Sequence, residues 1–566
     1  MPNVANPRRC KSLGLLLLAS LSAFAAHAQQ QSLKPLEPHL LLAGGGLKIC
    51  SSMAHQYCDE TDWIDRDSMR TDRYLNLTGK YRQAAIDKDI WPGAREPERK
   101  EVIEAIDLVR ERLNEDIVPE RRFQEEFTRR ATKQLYDKLS DAEWNRIIDH
   151  LEMPHVATLQ TRVNLAETMN KDSLAIMQRF AEMAQQRHQG EGKAKVLFVT
   201  AGARDSFTDV GYYDSLFQQL GVDGEWLPLD AAVVAAQRQG RCDELDKVRA
   251  ETVGAWDRAR VYPQLHQRQV AFCKSSEQAV SMVEGADGLF FADGSANRIR
   301  DSLIRPNNSA TPLLQTIALQ ISEEELAVGG SGAGAAVMSG GPLITNGSSR
   351  EALKSGALAA EPPMFGCNLD GTCPPNVSVD SLTYHPLGGI QLFHFGSLDS
   401  AFSEQGRQAR LMRLAATTST PVSVGIDENT ALLVNLKNGE FGIIGERGVF
   451  IVENAQQADN MVAANFQYLL AGSRGLLTPR RVAVAKLANE HDVVKVEPTT
   501  RFLDNRGAID SMRVLCRGER KQINLLQDDF SLMMQVDDDS VLQAAGGECQ
   551  VLNGRMGIVW QPEKQL

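Results

Sequence analysis

The chain has 566 residues, 43% of them hydrophobic, enough to build a core in either one enlarged domain or two. Its 61 Lys and Arg stand against 73 Asp and Glu, a net charge of −12. That balance argues against a nucleic-acid partner, whose binders cluster basic surface, and is compatible with a cationic substrate or simply with solubility.

Arg8, Arg9 and Lys11 precede an apolar run from Leu13 to Ala26, and Ala26-His-Ala28 closes it before a glutamine tract. This reads as a secretory signal peptide, residues 1–28, and predicts export to the periplasm or beyond. Cys10 lies in its basic part with no lipobox around it. No later run reaches the roughly 18 apolar residues of a spanning helix, so no membrane span is expected. Eight cysteines remain, an even number that in an exported chain points to disulfides. The shortest loops pair Cys50 with Cys58, Cys242 with Cys273, Cys367 with Cys373 and Cys516 with Cys549, although about 105 connectivities are open on sequence grounds. Without a CxxC or HExxH cluster, neither a metal site nor a cofactor is expected.

His39-Leu-Leu-Leu-Ala-Gly-Gly-Gly46 has the look of a buried strand ending in a glycine turn. The next such strand, Ala194 to Gly202, follows a long charged interval. Within that interval Ile103, Ile106, Leu113 and Ile117 recur at helical spacing, and Ser140-Asp-Ala-Glu143 fits a capping box. Residues 51–192 therefore read as a helical insertion, serving as a lid, a docking surface or an oligomer contact, with a homodimer left open.

From Val196 strand-like and helix-like segments alternate: Val196 to Thr200, Tyr212 to Leu220, Gly288 to Phe291 and Leu313 to Ile321. The expected fold is α/β, a doubly wound, mostly parallel sheet with helices on both faces. Ala327-Val-Gly-Gly-Ser-Gly-Ala-Gly-Ala-Ala-Val-Met338 then reads as strand, sharp turn and helix, with Ser331 at the apex as candidate nucleophile of an elbow. Gly330 to Ala335 also fits a dinucleotide fingerprint, but it comes late and a turn-rich stretch follows it. Residues 341–386, rich in proline, read as an inserted loop, and 453–566 as a C-terminal mixed extension with strands at Arg481-Val-Ala-Val and the Trp560 end.

Ala43-Gly-Gly-Gly46, Phe198 to Ala203, Tyr212 to Gly221, Phe290-Phe-Ala-Asp-Gly294, Gly330 to Ala335 and Gly425-Ile-Asp-Glu-Asn-Thr-Ala431 occur in the order seen in cyanophycinases. The chain resembles that group, part with dipeptidase E of the S51 serine peptidases, over about residues 39–50 and 195–452. The resemblance implies an α/β peptidase domain made of residues 36–50 and 193–452. It also implies hydrolysis of cyanophycin, a polyaspartate carrying arginine on each side chain, to β-Asp-Arg dipeptides. On that likeness Ser331 is the nucleophile and Glu428 orients a histidine base, the amides of Gly332 and Gly294 form the oxyanion hole, and Arg407 and Arg410 pair with substrate carboxylates.

The sequence departs from the family at the base. The family's Asp-x-His-Phe segment aligns without a gap onto Asp399-Ser-Ala-Phe402, ahead of an intact Gly406-Arg407-Gln-Ala-Arg410-Leu411, so the histidine becomes Ala401. Gln405 replaces a helix-motif arginine, and a Gly-Gly-Asp/Asn-Gln turn reads Asp293-Gly-Ser-Ala296. The elbow has Gly332 where the family prefers alanine. His394 is the nearest histidine upstream and stands as the alternative base, although seven residues span about 23 Å of extended chain. His385 is more remote. Two functions follow: an exported serine peptidase with a recruited base, or a non-catalytic binder of such peptides on the same scaffold.

Overall fold

A computed structural model describes residues 35–275, 277–490, 499–518 and 520–561. The expected signal peptide lies outside the described residues.

Nine strands form the main sheet: β1 (Leu40–Ala43), β2 (Lys195–Val199), β3 (Asp223–Trp226), β4 (Gly288–Phe291), β5 (Ala327–Ser331), β6 (Thr430–Val434), β7 (Glu440–Gly445), β8 (Arg474–Leu477) and β9 (Val482–Lys486). Their spatial order is β9-β8-β7-β6-β1-β5-β4-β2-β3. The five strands from β1 to β3 run parallel, and the four from β6 to β9 add antiparallel pairs. The parallel half is α/β, with helices on both faces, as the alternating pattern predicts.

Side chains in β4 alternate between the two layers because successive Cβ atoms point to opposite faces. Leu289 and Phe291 join a core with Val233, Ile299, Leu314 and Ile317 from helices on one side. Phe290 faces the other side and meets Phe180 and Phe217 at ring distances of 5.1 and 6.0 Å. Phe180 belongs to helix Lys171–Arg187, whose start is capped by the Asn170 side chain accepting from Ser173 N at 2.7 Å. This helix falls inside the interval read as an insertion, yet it covers the sheet.

The rest of that interval has a core of its own, built from Leu75, Ile106, Phe123, Ile147 and their neighbours. Ser140 and Glu143 form the predicted capping box at helix Asp141–Leu151. The helix carrying Ile103 and Ile106 ends at Leu113, because Asn114 adopts φ +52° and turns the chain. Ile117 consequently starts a short strand, Ile117–Pro119, paired with Tyr74–Asn76.

The segment beyond 453 is woven into both sheets. It supplies β8 and β9, and its long strands Met461–Leu470 and Glu548–Trp560 belong to a second, eight-stranded sheet that begins with Ser397–Asp399 and Val422–Ile426. Residues 341–386 are more than a loop. They form strands Leu343–Asn346, Ala357–Leu358 and Leu382–His385 and helix Ser349–Ser355. All four shortest-loop disulfides are present.

Candidate functional site

The parallel strands end together, with Ala43 of β1 beside Ser331 of β5. Sites in such sheets gather at the carboxyl ends of strands. Just past this edge a cleft of about 540 Å³ is lined by Asp293, Gly294, Gly332, Ala401, Arg407 and Arg410 on one side. Asn346, Ser348, Ser349 and Asp380 line the other.

The elbow is real, but its apex is Gly332, at φ +56° and ψ −117°. In a Gly-x-Ser-x-Gly turn the nucleophile takes the strained central position and glycines stand two residues to each side. Here those glycines are Gly330 and Gly334. A Cβ on Gly330 would lie 2.4 Å from Gly334 O, and one on Gly334 would lie 2.2 Å from Phe291 O. Gly329, which invited a frame centred on Ser331, is small for another reason: a Cβ there would meet the Phe180 ring at 2.6 Å. Ser331 thus stands one residue before the apex, the last residue of β5 and 5% exposed.

Gly332 N donates to Ala43 O at 2.9 Å, which ties it to the strand edge and takes it out of any oxyanion hole. The other donors at the turn are Gly294 N and Ala333 N, the second belonging to the residue after the apex, where elbow enzymes place one oxyanion donor. Both donate to one oxygen of the chain itself: Asp293 Oδ1, at 2.7 and 2.8 Å. A Cβ on Gly332 would fall 2.1 Å from that carboxylate. The two amides are thus occupied by a side-chain oxygen of the chain itself.

Ala401 lines the same cleft at φ +44°, a left-handed conformation in which a Cβ is strained. Its N–H donates to Gly44 O at 2.7 Å. Its neighbours in the motif are anchored. Asp399 accepts from Arg410 Nε at 2.8 Å and Nη2 at 2.6 Å, and Phe402 stacks on Phe450 at 5.6 Å. Arg410 Nη1 donates to Gly347 O, so each of its three nitrogens has a partner inside the protein.

Arg407 donates to Ser400 O and Gln405 Oε1 and reaches Asp399 Oδ1 at 3.5 Å, but its Nε–H has no partner. Desolvation, and then the Arg410 charge, pull this guanidinium down to about 10. Glu428 follows the strand Val422–Ile426 and lies over Gly46, where a Cβ would come within 2.7 Å of Oε2. Burial, followed by the Glu404 carboxylate, raises its pKa above the usual range. His394 is exposed beside Phe395 and lines no part of the cleft. His385 contacts Asn297 Oδ1 at 2.5 Å in a neighbouring groove. Among the described residues the cleft lining holds no histidine, and none group as a metal site.

Over 181 residues the chain is 27% identical to the cyanophycinase of Trichormus variabilis and equally to that of Nostoc sp.. Over that stretch the chain is similar to the cyanophycinases. The matched stretch is 32% of this chain and 49% of each relative, so the chain spans about half the length of the curated relatives it matches. No family model matches. A solved peptidase from an acI-B1 Actinobacterium aligns with a TM-score of 0.31 at 15% identity, covering 53% of this chain and 89% of its own.

Two features escaped the sequence reading. Asp293 as the occupant of the amide pair was legible only as an unusual residue in a glycine turn. The polar wall from Asn346 to Ser349 was hidden because its strand and helix are short.

Proposed function

We propose that this protein is a cyanophycinase-like peptide binder that does not hydrolyse its ligand. The observation that carries this reading is Gly332 at the elbow apex, with the Asp293 carboxylate on the two amides beside it. Glycine offers no nucleophile, and Ala401 offers no base at the position the cyanophycinase likeness assigns to histidine. The cleft carries both signs of charge, Asp293 and Asp380 against the incompletely paired Arg407. That mixture suits a peptide with acidic and basic groups, of which cyanophycin is the type.

The four disulfides and the signal-like N-terminus support work outside the cytosol.

The test is to incubate the purified protein with a cyanophycin suspension, and to follow dipeptide release and sedimentation with the polymer together. Binding without release is expected, unaltered in Ser331→Ala and weakened about tenfold or more in Arg407→Ala. Dipeptide release that disappears in Ser331→Ala would overturn the reading.

A further inference from the structure

A second recess, of about 480 Å³, opens on the Ser331 side of the elbow. One wall comes from the α/β body through Ser331, Asp293 and the start of helix Val210–Gln219; the other comes from the interval 51–192 through Met53, Tyr57 and Met177. The interval thus helps enclose a chamber against the strand ends.

Asp209 decides its chemistry. It is the N-cap of Val210–Gln219, where aspartate normally accepts from the first turn, but its side chain makes no cap bond. No hydrogen bond or ion pair reaches its carboxylate from any described residue, and it lines the recess as a solvent-exposed residue. The residue keeps contact with solvent, while the protein packed about it and then the Asp205 carboxylate raise its pKa, against the weaker pull of Arg73 and Arg70. A solvent-exposed carboxylate with no cation of its own is open to pair with one that enters the recess.

The remaining lining is suited to a cation with an apolar body. Tyr57, Tyr212 and Tyr213 bring aromatic rings, the last two edge to face at 5.0 Å, and no lysine or arginine is among the lining residues. Ring faces attract ammonium and guanidinium groups, Arg more often than Lys. Asp293, whose Oδ1 is held in the cleft, lines this recess too.

We propose that the recess binds an organic cation, a guanidinium or ammonium on a short apolar stem, with Asp209 as its counter-ion. The cation arrives either as a free small molecule or as a basic side chain of a peptide lying in the cleft, since Asp293 borders both spaces.

Titration calorimetry with n-butylguanidine and n-butylamine, with n-butanol as the uncharged control, tests this on the full-length protein. Saturable binding of the cations but not the alcohol is expected, weakened at least about tenfold in Asp209→Asn, which keeps the shape and removes the charge. Ala54→Trp, which fills the recess, is expected to abolish it, and circular dichroism confirms that both variants are folded. Absence of cation binding up to about 10 mM, or equal binding by folded Asp209→Asn, overturns the proposal. An arginine-containing peptide separates the two sources: its binding falls in Arg407→Ala if the side chain arrives from the cleft, whereas n-butylguanidine binding does not. Because n-butylguanidine needs nothing from the cleft, failure here leaves polymer sedimentation unaffected.

Discussion

At the scale of single residues, the site is defined by an elbow backbone whose apex is a glycine and by an alanine in a left-handed conformation beside it. Gly332 holds the elbow conformation, and Ala401 is held left-handed by its bond to Gly44. Restoring a serine alone is expected to fail, because the new Cβ would collide with the Asp293 carboxylate. Labelling by a fluorophosphonate probe should therefore be absent in Gly332→Ser and appear only when Asp293→Gly and Ala401→His are added. Labelling of Gly332→Ser by itself would show that Asp293 moves aside freely. The flanking glycines are tested by stability. Gly330→Ala and Gly334→Ala each press a methyl onto a carbonyl oxygen and should cost about 1–3 kcal/mol or more, read as a lowered Tm. Ser331→Ala, one position away, involves no such contact and should leave polymer binding unaltered. The sequence shows the elbow and, through its glycine spacing, the centre as well. The lone serine among four glycines draws the frame to itself, but Ala333 stands where that frame needs its second glycine, whereas Gly330 and Gly334 flank Gly332 on both sides.

At the scale of elements, the strands of the parallel half were legible because their apolar runs are bounded by glycine turns and alternate with helices. Helix Lys171–Arg187 was misplaced because its amphipathic period is that of any surface helix, and nothing local tells which core it covers. The opposite end of β1 offers a pH test. His39 is buried, and its Nδ1 accepts from Leu436 N at 3.1 Å, which requires the neutral ring. Burial, then Arg187, lowers its pKa from 6.5 to about 4. The native state stays neutral where the unfolded chain takes up a proton, so this contribution is present above pH 6.5 and is lost as pH falls toward 4. Linkage sets the loss at about 3 kcal/mol as an upper bound, and His39→Gln should flatten that limb of the stability–pH profile. The disulfide Cys516–Cys549 ties helix Gly507–Cys516 to strand Glu548–Trp560 across 33 residues. Replacing both cysteines with serine should lower unfolding stability by about 3 kcal/mol in denaturant titration.

At the scale of the whole molecule, the division suggested by sequence, a peptidase domain followed by an extension, does not describe how the sheets are built. The C-terminal segment carries two strands of the main sheet and the long central strands of the second. Truncation after residue 452 strips the antiparallel edge from β7 and leaves Gly448–Ala458 cut short, so the shortened chain should be insoluble on expression. A soluble, cooperatively melting truncation would show that the peptidase-like half folds alone. Composition alone could not reveal this weave, since alternation marks a strand without naming its neighbour.

The carboxylate on the elbow amides couples three positions. A serine at Gly332 meets the Asp293 side chain, a histidine at Ala401 faces no hydroxyl at the apex, and a glycine at Asp293 frees two amides beside a residue with no nucleophile. On the proposed reading no one of these substitutions assembles nucleophile, base and open amide pair, so hydrolysis has to be built at all three positions together.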